Sequence, residues 1–162
     1  MAEHDTAQDE TFLRQAAALS RTAIEGGHGG PFGALVVRDG EVVAEGGNEV
    51  TSTNDPTAHA EVVAIRRACQ ALGAFSLEGA TIYASCEPCP MCLSAIYWAR
   101  CSRLVYANTR DQAAAIGFDD AFLYEEVPKA PLARALPTVH HALPEAEAVF
   151  HAWAEKADKT PY

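Results

Sequence analysis

Two separated segments carry side chains suited to one metal-assisted hydrolysis: His59-Ala60-Glu61 and Pro88-Cys89-Pro90-Met91-Cys92. A neutral imidazole from His59 and thiolates from Cys89 and Cys92 can hold one Zn2+ and leave its fourth position to water. Glu61, two residues from the histidine, can then move protons to and from that water. Two thiolates cancel the charge of the metal, so ionising the water near neutral pH calls for a nearby base. Taken alone, Glu61 reads as a first-turn carboxylate stabilising a helix dipole. Its place between His59 and a matched cysteine pair makes it the candidate proton shuttle.

Such a site makes demands on the elements that carry it. Positions i and i+2 lie on opposite sides of an ideal helix, so His59 and Glu61 share a metal only if His59 sits at or just before the first helical turn. The preceding Asn54-Asp55-Pro56-Thr57 reads as a loop ending in a helix cap, with a helix over Ala58–Leu72 presenting Val62, Ile65, Cys69 and Leu72 on one face. Cys89 and Cys92 are three apart and share one face of a helix that starts at Pro90 and runs to Arg100. Cys89 then lies at its N-cap, where the positive helix end favours thiolate.

Around these segments, Glu10–Glu25 has the apolar spacing of an amphipathic helix. Phe32–Val37 and Glu41–Gly46 are short strands joined by the hairpin signal Asp39-Gly40. Ala80–Ser85 and Leu104–Ala107 read as strands, with a further one at Thr138–Ala142. Gln112–Glu126 reads as helix in two pieces around Gly117, and Pro144–Lys156 as a last helix. Alternating strands and helices imply a mixed sheet covered on both faces. With no repeat, low-complexity tract or linker, residues 1–162 are assigned to one domain.

Composition narrows the function. The net charge of −10 and the scattered arginines (Arg66-Arg67, Arg100, Arg103, Arg110) favour a small-molecule substrate over a nucleic acid. No apolar run is long enough for a membrane span, and Met1-Ala2-Glu3-His4-Asp5 lacks the basic start of a leader. Five cysteines, two of them in a metal-type pair, fit reduced thiols and a cytoplasmic location. Cys86, Cys89 and Cys92 form C-x2-C-x2-C, but an iron–sulfur cluster needs a fourth cysteine followed by proline, and Cys101 is followed by Ser102. Cys86 is expected to end a strand and to line or support the pocket, and Cys69 and Cys101 to be small core residues. His4, His28, His140, His141 and His151 lack metal-ligand spacing.

The pairing of H-x-E with P-C-x-x-C is the signature of zinc-dependent nucleobase deaminases. The stretches Gly30-Pro31-Phe32-Gly33-Ala34, Asn54–Glu61 and Ser85–Cys92 resemble the cytidine deaminase superfamily. Ala95-Ile96-Tyr97-Trp98-Ala99-Arg100 and Gly117-Phe118-Asp119-Asp120 narrow the resemblance to bacterial guanine deaminases of that fold, over about Phe12 to the last residue.

The resemblance implies a three-layer α/β/α sandwich around a five-stranded mixed sheet. It implies one Zn2+ per subunit on His59, Cys89 and Cys92, Glu61 as shuttle, and hydrolysis of guanine to xanthine and ammonia. It further implies Asn48 and the Ala60 N–H as partners of the base, Phe32 as an aromatic wall and Trp98 beside the substrate. Asp120 would read or protonate the exocyclic amine side, with Asp119 next to it. Tyr162 would cap the pocket of a homodimer whose segment 144–162 is exchanged between subunits.

Each of these residues also has a plainer reading: Asn48 as a turn residue, Trp98 as core, Asp119 or Asp120 as a helix cap. Three other functions fit parts of the pattern. One is a deaminase of guanosine or another amino-heterocycle. A tRNA adenosine deaminase shares the chemistry but must bind folded RNA, against the charge balance. A non-catalytic zinc fold would have no use for Glu61 and would draw in Cys86 as fourth ligand.

Overall fold

The computed structural model describes residues 6–162; residues 1–5, His4 included, lie outside the described residues. The elements are α1 (Thr6–Glu25), β1 (Gly33–Arg38), β2 (Glu41–Gly47), α2 (Val50–Thr53), α3 (Ala60–Leu72), β3 (Thr81–Cys86), α4 (Pro90–Trp98) and β4 (Arg103–Asn108). Then follow α5 (Arg110–Ala114), α6 (Ala121–Glu126), a 3-10 turn at Pro131–Ala133 and α7 (Pro144–Glu155). Two compact units result, Met1–Asp120 and Ala121–Tyr162.

In the first unit the strands form one sheet in the order β2-β1-β3-β4. β1 runs antiparallel to β2 and β3, while β3 and β4 are parallel. Asp39 and Gly40 both take positive φ (53° and 80°), the geometry of the tight turn that matches strand twist. Alternation along the strands sorts the core into two layers. Leu35, Val37 and Tyr83 meet Phe12 and Ala16 of α1 on one face. Ala34, Val36 and Ile82 meet Ala60, Ala64 and Ala68 of α3 and Ile96 of α4 on the other.

Two glycines set how closely the helices approach the sheet. A Cβ on Gly33 would stand 2.2 Å from the Ala16 carbonyl oxygen of α1. One on Gly46 would stand 2.4 Å from the Ala60 carbonyl oxygen of α3. This contact corrects the expected face of α3 in part: Ile65 and Cys69 pack against the core, but not at its centre. Its tightest stripe is Ala60, Ala64 and Ala68, because only small side chains fit where two backbones nearly touch, and Leu72 is exposed. Gly73, in the left-handed region, closes α3.

The sheet has four strands, not the five expected. The segment read as a further strand, Thr138–Ala142, pairs with nothing in the sheet and has no regular structure. It holds two histidines and an outward Val139 (74 % exposed), so it offers no alternating apolar face to bury. α2 is a single helical turn, in a stretch to which the sequence pattern assigns no element.

At the end of the sheet where β3 and β4 begin, Asp9 of α1 receives both Arg103 guanidinium nitrogens at 2.7 and 2.6 Å. It also accepts the Tyr83 hydroxyl at 2.7 Å. Three elements are thus tied by one carboxylate. In the second unit, Val149, Phe150 and Trp153 of α7 are exposed. No helix among the described residues is long and apolar enough to cross a membrane.

Candidate active site

The approach to α3 is built by a short side-chain turn. Asp55 Oδ1 accepts the Thr57 N–H at 2.8 Å and the Thr57 hydroxyl at 2.6 Å. These bonds hold the Asp55 carboxyl below its usual range. The chain then delivers His59 as the N-cap of α3 in extended backbone (φ −67°, ψ 153°), with Ala60 the first helical residue. The cap is therefore His59 and not Thr57. Because His59 precedes the first turn, it can share a centre with Glu61 despite their i, i+2 spacing.

The second half follows the same plan. β3 ends at Cys86, Cys89 is the N-cap of α4 (φ −64°, ψ 167°), Pro90 occupies the first turn, and Cys92 is fully buried. Two helices thus bring their positive ends to one place, which favours anionic groups there. His59 Nδ1 lies 3.6 Å from Cys89 Sγ and 3.5 Å from Cys92 Sγ. A nitrogen and a sulfur on one tetrahedral zinc stand about 3.5 Å apart, from bond lengths near 2.0 and 2.3 Å. The three ligand atoms lie within 4.8 Å of one another, so the donor set and its spacing fit one Zn2+.

The electrostatics are divided between the ligands. A hydrogen bond from Cys92, then one from His59, draws the Cys89 thiol down to about 4. Cys92 is pushed the other way by its bond to Cys89 and by burial. Glu61 is 7 % exposed, and burial raises its carboxyl above the ordinary range. A raised carboxyl holds a proton more readily, which suits a group that must carry one.

Cys86 stands apart from the ligand set. Its thiol donates to the Thr109 carbonyl at 3.7 Å, and burial pushes it up to about 11. Cys69 and Cys101 pack beside the α3 core, where burial raises both.

Asn48 is 4 % exposed, and its amide oxygen accepts the N–H groups of Gly30 and Val50, each at 3.2 Å. Both bonds use the oxygen, so the amide NH2 is the end available to a ligand. Phe32 meets Phe118 edge to face at 4.9 Å. Phe118 lies in the Gly117-Phe118-Asp119-Asp120 stretch, where its residue type alone assigns it no role. Its signal is position: it follows Gly117, held at φ 95°.

Asp120 is partly buried, and its carboxyl is raised first by burial and then by the charge of Cys89, which places it within electrostatic reach of the ligands. Asp119 is exposed. Trp98 ends α4, 65 % exposed beside Tyr97 and Arg100, six residues or about 9 Å along the helix from Cys92. Tyr162 is the last residue of the second unit, 73 % exposed.

Residues 6–108 match the cytidine and deoxycytidylate deaminase zinc-binding region. The chain is 51 % identical to the guanine deaminase of Bacillus subtilis, over 94 % of this chain and 98 % of that protein. The crystal structure of a Bacillus subtilis guanine deaminase superposes with a TM-score of 0.92 at the same identity and coverage.

The chain belongs to the bacterial guanine deaminase family.

More distant members of the zinc deaminases are also similar. The guanine deaminase structure from Nitrosomonas europaea is 33 % identical, with a TM-score of 0.66, over 68 % of this chain and 64 % of that one. The tRNA-specific adenosine deaminase of Agrobacterium fabrum is 42 % identical over 69 % of this chain and 66 % of its own length. Of these, the relationship to the Bacillus subtilis guanine deaminase runs nearly end to end in both partners.

Proposed function

We propose that this protein hydrolyses guanine to xanthine and ammonia. The observation that carries the reading is the end-to-end relationship to a guanine deaminase, joined to a His59–Cys89–Cys92 cluster of zinc dimensions beside a buried carboxyl. His59, Cys89 and Cys92 would hold the metal, which when bound acidifies a water and so supplies a nucleophile at neutral pH.

Glu61 accepts the proton that this water loses and passes it to a ring nitrogen of the base. The water oxygen becomes bonded to C2, and the C2–N bond then breaks. Glu61 takes the proton of the new C2 hydroxyl and gives it to the departing exocyclic amine, so guanine and water leave as xanthine and ammonia. The low exposure of Glu61 keeps bulk water from competing for that proton.

Asn48, its oxygen fixed by Gly30 and Val50, offers its NH2 to an acceptor on the purine edge. Phe32, steadied by Phe118, supplies an apolar wall for the ring, and the Ala60 N–H, at the first turn of α3, donates to the base. Asp120 faces the exocyclic amine side, Asp119 adds a neighbouring charge, and Trp98 borders the substrate. The chain acts as one deaminase, residues 1–162, in a homodimer that exchanges about 144–162, with Tyr162 closing a pocket. Its five unpaired thiols suit a reducing cytoplasmic setting.

The test is ammonia release by zinc-loaded protein from guanine, guanosine, adenine, cytosine, cytidine and tRNA in parallel. Turnover of guanine is expected. Turnover of guanosine with little guanine would keep the zinc chemistry and overturn the assigned pocket.

A further inference from the structure

Glu87 lies between two elements that must be held in register. Upstream it continues β3, and two residues downstream is Cys89, the cap of α4. Its own N–H donates to the Asn108 carbonyl at 2.8 Å. Its carboxylate Oε2 accepts the N–H of Arg110, the first residue of α5, at 3.1 Å. The neighbouring Cys86 thiol donates to the Thr109 carbonyl at 3.7 Å. Three bonds therefore fasten the segment entering the ligand helix to the start of α5.

From that anchor the chain has little freedom. Thr109 caps α5 in a reciprocal arrangement with Gln112. The far end closes with Gly117 N–H to the Ala114 carbonyl at 3.0 Å and Phe118 N–H to the Ala113 carbonyl at 3.0 Å, with Gly117 at φ 95°. This is the double bond of a Schellman stop. Phe118 then locks against Phe32, and Asp119 and Asp120 follow. The guanidinium of Arg110 is also among the groups that lower Asp120, against the burial that raises it.

We infer that Glu87 is a positioning residue for substrate recognition: by holding the Arg110 N–H it sets where α5 places Asp120 relative to the metal ligands. The inference rests on the reading of Asp120 as a substrate-facing carboxylate. It differs from a role in metal binding, because the Glu87 side chain is turned to α5. It differs from a charge role, because the function needed is a fixed acceptor oxygen, which an amide also supplies.

The experiment compares zinc-loaded full-length parent, Glu87→Ala, Glu87→Gln, Asp120→Ala and the Glu87→Ala/Asp120→Ala double variant, measuring kcat, KM for guanine and bound zinc. Glu87→Ala is expected to lose about 10- to 100-fold in kcat/KM with zinc unchanged, the scale of a small misplacement at a reacting centre. Glu87→Gln should recover most of that loss. In the Asp120→Ala background, Glu87→Ala should cost little more, since residues acting as one unit are not additive. Parent-like kinetics in Glu87→Ala, failure of Gln to rescue, or losses that multiply in the double variant would each overturn the inference. Unchanged kinetics in Asp120→Ala would instead sink the substrate-facing reading of Asp120, and the inference with it.

Discussion

Gly46 of β2 and the Ala60 carbonyl of α3 are so close that a single added methyl carbon would sit 2.4 Å from that oxygen and 2.6 Å from the Ala64 nitrogen. Both obstructing atoms are backbone, so neither can swing aside. The start of α3, where His59, Ala60 and Glu61 lie, is thereby seated directly on the sheet.

Gly46→Ala should consequently unseat the site as well as weaken the fold. Overpacking of this kind costs about 1–3 kcal/mol. The neighbouring Gly47→Ala is the control, since its Cβ would meet Ala23 Cβ at an ordinary 3.5 Å. Denaturant melts and zinc titrations of both variants should separate them, with weaker zinc binding in Gly46→Ala alone. Equal behaviour of the two would remove the special role of this contact.

Glu61→Gln keeps the size of the side chain and removes its proton chemistry. Bound zinc should stay at one per chain, while kcat falls by about a thousandfold, within the 10²–10⁴ range of acid–base catalysis. Activity near the parent level would assign the shuttle to another group.

Metal binding and stability should move together at the ligands and separate at Cys86. Cys92→Ala is expected to lose zinc and melt at lower temperature, because metal-binding energy is also folding energy. Cys86→Ala should retain zinc, as its thiol is directed to the Thr109 carbonyl. Zinc loss in Cys86→Ala would imply a fourth protein ligand and a structural site.

Asp9→Ala should destabilise the protein by about 2–3 kcal/mol, at or below the low end for breaking a buried pair, since Asp9 and Arg103 keep some solvent contact. The same cluster gives a pH signature. Burial, then the bond to Asp9, pushes the Tyr83 hydroxyl from 10.0 up to about 12. The folded state thus favours the neutral phenol. Its contribution is fully present below about pH 10 and is lost as pH rises toward 12. Urea melts across this window should show a steeper alkaline decline in the parent than in Tyr83→Phe.

Removing Lys159–Tyr162 should lower kcat/KM severely and leave zinc content unchanged, if Tyr162 closes a pocket as proposed. Full activity in the shortened chain would reject that role.

What the sequence disclosed was local. Asp39-Gly40 specifies its turn by itself, and the ligand types and spacings of His59, Cys89 and Cys92 carry their chemistry without reference to the fold. Features set by partners distant in the chain were not legible. Of the face expected from Val62, Ile65, Cys69 and Leu72, only Ile65 and Cys69 pack against the core, and proximity to Gly46 gives the tightest contact to the alanines. Likewise Thr138–Ala142 has strand-like residues, yet a strand requires a neighbour to pair with, and the sheet ends at β4 without it. The bond from Arg110 to Glu87 spans 23 positions and leaves no mark on either segment alone.

The alanine stripe of α3 also shapes how this protein can change over generations. Where the interior consists of Ala60, Ala64 and Ala68 against Gly46, there is almost nothing left to trim. Losses there will come from substitutions that enlarge a side chain. A saturation library should therefore retain function for little beyond glycine at Gly46 and for few replacements beyond glycine, alanine and serine at the three alanines. Lineages of this enzyme would then diverge mainly at the exposed flank of α3, around Arg66, Arg67 and Gln70.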